Sequence, residues 1–116
     1  MSIPRAQWEW FGYPGHFIEA DRCLFRLCTV VGKYLISTVG DKHDIGTGER
    51  VPICSYQSGF FETYVFQAGP RCDTPECGCG QPEIDGHNID GERCATAGEA
   101  QALHLKYCEK YARRKA

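Results

Sequence analysis

A chain of 116 residues can enclose one hydrophobic core and is short for two, so a single domain spanning residues 1–116 is expected. Its 42% hydrophobic and 24% charged residues are ordinary globular values, and no apolar run approaches the ~20 residues needed to span a bilayer, which argues against a membrane protein. The formal net charge of −2 provides no global field for attracting nucleic acid, so any such contact would be local.

The first ten residues lack the continuous apolar stretch of a signal peptide and carry Glu9 among aromatics, which places the chain in the cytoplasm. There, the 8 cysteines are expected to be metal ligands, buried apolar groups or nucleophiles. Export by another route would instead permit disulfides.

In chain order, Trp8, Trp10, Phe11 and Tyr13 precede a Pro14-Gly15 turn and suggest a core-anchoring segment. Residues 23–39 are rich in β-branched and aromatic side chains and break once, at Gly32-Lys33, which predicts a β-hairpin. Phe25, Leu27 and Thr29 alternate with Leu24, Arg26 and Cys28, so one face should be core and the other partly wet. Residues 40–59 are polar and glycine-punctuated, a long loop with room for a short strand around Val51 to Tyr56. Residues 60–68 return as a third strand, and the sheet ends at Gly69-Pro70.

The stretch that follows is cysteine-rich and turn-rich, with too few apolar side chains to offset the entropy of its own ordering. A C-terminal helix then begins at a capping box, Thr96-Ala97-Gly98-Glu99, and places Ala97, Ala100, His104, Tyr107, Cys108 and Tyr111 on one stripe. The expected architecture is α+β: residues 1–69 mainly β with about three antiparallel strands, 70–95 a cysteine-rich loop, and 96–114 a helix.

Cys72, Cys77 and Cys79 lie on a Pro/Gly turn, where small residues let several thiolates converge on one zinc ion. His104 or Cys108, four apart on the helix, would complete a structural site stapling the loop, with Cys94 and His87 as alternatives nearer in sequence. The bland alternative buries Cys108 in the helix stripe and leaves the loop thiols reduced. A second constellation would pair His16 with Cys23 or Cys28 as base and thiol nucleophile of a small hydrolase or transferase, with His43 and Cys54 nearby, although no local signature supports it. Trp8, Trp10, Tyr13 and His43 are candidate contact residues for a protein partner; the aromatics also suit base stacking or a core lid. The basic residues ending the helix read as a solvated end, and Asp85 to Gly91 lacks the ligand order of an EF-hand.

Several segments resemble a group of small, functionally uncharacterised proteins of tailed phages and prophages. They are Trp10-Phe11-Gly12-Tyr13-Pro14-Gly15-His16-Phe17-Ile18, the stretch from Val31 to Gly40, Phe61 to Phe66 followed by Gly69-Pro70-Arg71-Cys72, and His104 with Cys108. The resemblance implies a mobile-element origin and action in a host cytoplasm by binding and redirecting a host protein, defence systems such as CRISPR-Cas included. It carries no catalytic residues to transfer.

Overall fold

The computed structural model describes residues 4–12, 23–44, 46–52, 60–78, 80–84 and 87–113. A 3₁₀ turn, Arg5–Gln7, leads into β1 (Trp8–Gly12), β2 (Cys23–Val31), β3 (Tyr34–Lys42), β4 (Phe61–Gln67) and β5 (Asp90–Cys94), and α1 (Ala97–Ala112) follows. The strands form one antiparallel sheet in the order β1-β2-β3-β4-β5, so each strand lies beside its sequence neighbour. The α+β architecture is as expected, but among the described residues the sheet has five strands rather than three. The aromatic N-terminal segment is an edge strand, and the end of the expected cysteine-rich loop forms the opposite edge.

The β2–β3 hairpin closes on the pair Val31↔Tyr34 with Gly32 at φ +62°, a backbone conformation that glycine supplies without a Cβ penalty. Beyond it the ladder runs through Thr29↔Ile36 and Leu27↔Thr38, and β4 continues it with Thr38↔Thr63 and Ile36↔Val65. Gly40 sits opposite Phe61, and Gly91 sits opposite Tyr64. A Cβ at either glycine would overlap the facing aromatic ring. These rings lie across bare backbone and pin the register on both sides of β4.

Helix α1 starts as the sequence indicates: Glu99 N–H donates to Thr96 Oγ1 at 3.2 Å, and Thr96 Oγ1 donates to Glu99 Oε1 at 3.0 Å. Of the expected stripe, Ala100, His104, Tyr107, Cys108 and Tyr111 are buried, while Ala97 is exposed. The helix packs on Val31, Ile36 and Val65, and Tyr111 meets Tyr34 with ring centroids 4.7 Å apart. Its flank is tied to β5. Tyr107 and Tyr111 hydroxyls donate to Glu92 and Asp90 at 3.0 and 2.9 Å, and Lys110 pairs with Asp90 at 2.5 Å. Burial pushes Asp90 up, but bonds from Lys110, Tyr111 and the Gly91 N–H hold its carboxyl below the ordinary aspartate range.

The opposite sheet face was expected to be partly wet, yet it carries a second cluster. Cys28, Val30, Leu35 and Phe66 are buried there, covered in part by Phe11, Ala68 and Ile84. Glu62 is fully buried on the same face and faces its ladder partner Arg93 at 2.8 Å. Tyr64 bonds both Glu62 and Arg93, the latter at 3.1 Å, and burial raises its phenol above the ordinary value.

Among its described residues, the cysteine-rich segment is held by backbone hydrogen bonds. Gly69 N–H donates to Glu83 O, Glu83 N–H to Pro70 O, and Cys72 N–H to Gln81 O, each at 2.8 to 2.9 Å. Arg71 reinforces this closure with a bidentate pair to Glu9 and a bond to Gly80 O. These bonds offset part of the ordering entropy that the segment's few apolar side chains leave uncompensated. Among the described residues, no helix is long and apolar enough to cross a membrane.

Candidate docking groove

His104 lies on the helix stripe, above the helix-facing row of the sheet. Both its nitrogens are engaged by hydroxyls, Nε2 with Thr29 Oγ1 at 2.9 Å and Nδ1 with Thr38 Oγ1 at 2.8 Å. Thr38 Oγ1 also bonds Thr63 Oγ1 at 2.7 Å. The imidazole thus fastens the helix to β2 and β3 directly, and Thr38 extends the network to Thr63 of β4. A neutral ring has one N–H donor and one acceptor nitrogen, and this geometry uses both. Burial pushes its pKa down to about 4.

That arrangement removes His104 as a metal ligand, since no lone pair is left for an ion without breaking a buried hydrogen bond. Cys108 is also taken by the core: it is 1% exposed and bonds Thr29, and burial pushes its thiol up to about 12. Cys72 and Cys77 belong to the loop that Arg71 ties to Glu9 and stacks over Phe11, at 5.3 Å from that ring. Alternation along β1 puts Glu9 and Phe11 on the face opposite Trp8 and Trp10. The sheet therefore stands between the loop thiols and the helix ligands, and the expected set of Cys72, Cys77, His104 and Cys108 is not brought together. Among the described residues, no cluster of three or more histidine, cysteine, aspartate or glutamate side chains is placed to hold a metal. Cys79 lies outside the described residues.

The thiol–imidazole constellation is described only in part. His16 and Cys54 lie outside the described residues, and of Cys23 only its backbone pairing with Lys42 is described. Cys28 is buried in the second cluster, and desolvation pushes its thiol up to about 12, which opposes formation of a nucleophilic thiolate.

His43 is half-buried beyond the end of β3. Its Nδ1 bonds Gly48 O at 3.0 Å, and its Nε2 is 3.4 Å from Asp41. Asp41 adopts φ +55° and pairs with Arg50 at 2.8 Å, while Arg50 covers the Phe60 ring at 4.0 Å. This turn, with the bridge His43↔Arg50, gives the start of the long polar loop a hairpin closure. Val51 is outside any strand, and residues 53–59, where the extra strand was anticipated, lie outside the described residues.

The aromatic expectation leads to an apolar groove. Trp8 and Trp10, with Leu27 and Thr29 of β2, form one wall and the floor of a groove of about 370 Å³. Gln101, His104 and Leu105 of α1 form the other wall. Trp10 is 55% exposed and Leu105 54%, while Trp8 is half-buried against the helix cluster. The Trp10 ring stands edge-on to His104 at 6.5 Å. Tyr13, the remaining aromatic candidate, lies outside the described residues. Sequence reading found both tryptophans but missed Leu105 and Gln101; the available signal was a leucine lying off the buried stripe of an otherwise polar helix face.

At the basic end of the helix, Lys106 pairs with Glu92 at 3.4 Å and Lys110 with Asp90, which turns these charges toward the protein's own carboxylates. The described residues thus form an α+β domain, a five-stranded antiparallel meander under one α-helix, with an apolar groove beside that helix. No protein-family model matches the chain, and neither the curated proteins nor the solved structures contain a match to it.

Proposed function

We propose that this is a non-enzymatic binding protein of the phage accessory type, which acts in the host cytoplasm by docking a host protein on the groove between β1 and α1. The observation that carries this reading is the pairing of two large apolar side chains, Trp10 and Leu105, each more than half exposed, across one groove. Scattered surface leucines are unremarkable, whereas an aromatic and an aliphatic rim around an apolar floor match the anchors of a protein interface. The phage assignment rests on the resemblance of the segments around Trp10, Val31, Phe61 and His104.

A photoreactive residue at Gln101, with a second at exposed Lys33 as control, tests the reading in bacterial cells. The expected result is one host-protein adduct at Gln101, absent at Lys33. The purified partner should then lose at least tenfold in affinity on Trp10→Ala or Leu105→Asp. Adducts at both positions, or a partner indifferent to both substitutions, would overturn the groove as the docking site.

A further inference from the structure

We draw no further inference here: the strongest candidate, the apolar groove between β1 and α1 lined by Trp8, Trp10 and Leu105, belongs to the site already described, and nothing in the structure shows what covers it.

Discussion

Acidification should loosen the attachment of α1 to the sheet through His104, and the size of the effect follows from its burial. The ring titrates at about 4 in the folded protein against an ordinary 6.5. Because the folded value is the lower one, the unfolded chain takes up a proton first as pH falls. The stability tied to the neutral ring is therefore complete above pH 6.5 and is lost progressively as pH drops toward 4. At about 1.4 kcal/mol per pH unit, the loss amounts to about 2 kcal/mol at pH 5 and about 3 kcal/mol at pH 4. Urea unfolding of the native protein and of His104→Gln at pH 7.5, 6, 5 and 4 isolates this contribution, because the carboxylates titrate in both. The variant should start less stable and fall less steeply, with the gap between the two proteins narrowing by those amounts. Parallel pH profiles would refute the assignment of a neutral, doubly bonded imidazole.

Three further outcomes follow from the packing. Gly40→Ala or Gly91→Ala should destabilise the fold by about 1–3 kcal/mol in denaturant melts, because the added methyl meets the facing Phe61 or Tyr64 ring; a neutral result at both would mean that those rings move aside freely. Arg93→Met leaves Glu62 buried beside Tyr64 without its cation, and should cost on the order of 3 kcal/mol in the same assay, with partial recovery in Arg93→Met/Glu62→Gln. Iodoacetamide at pH 8 should spare Cys28 and Cys108, whose thiols titrate at about 12, until urea exposes them, as mass spectrometry of the digested protein would show.

The parts legible in the sequence are those whose side chains repeat with a period. Strong alternation revealed the β2–β3 hairpin and β4, and the Thr96 box with its stripe located α1 to within a residue at its start. β5 escaped because its sequence, DGERC, has no apolar alternation of its own. Its place is fixed by tertiary partners, Arg93 on Glu62 across one face and Asp90 and Glu92 on the helix tyrosines across the other. β1 was hidden by its aromatics, which read as a lid when they form a strand whose residues alternate between two faces. His104 and Cys108 share a helix face with metal-ligand spacing, and nothing local distinguishes that from core. The distinction lies in threonines 75 and 66 residues away, whose hydroxyls occupy both ring nitrogens.

The meander order of the sheet also sets how the chain can assemble. Every described strand meets its sequence neighbour, so the topology lets pairing start at the two-residue β2–β3 turn, hairpins of this kind forming in about 1–10 μs, and spread outward. The helix follows the sheet in the chain, and until it docks, Val31, Ile36, Val65 and the three threonines that meet or support His104 face water. A sheet without its helix is thus left adhesive on one side, and it is the C-terminal turns of α1, with Tyr107 and Tyr111, that close it off from wrong partners.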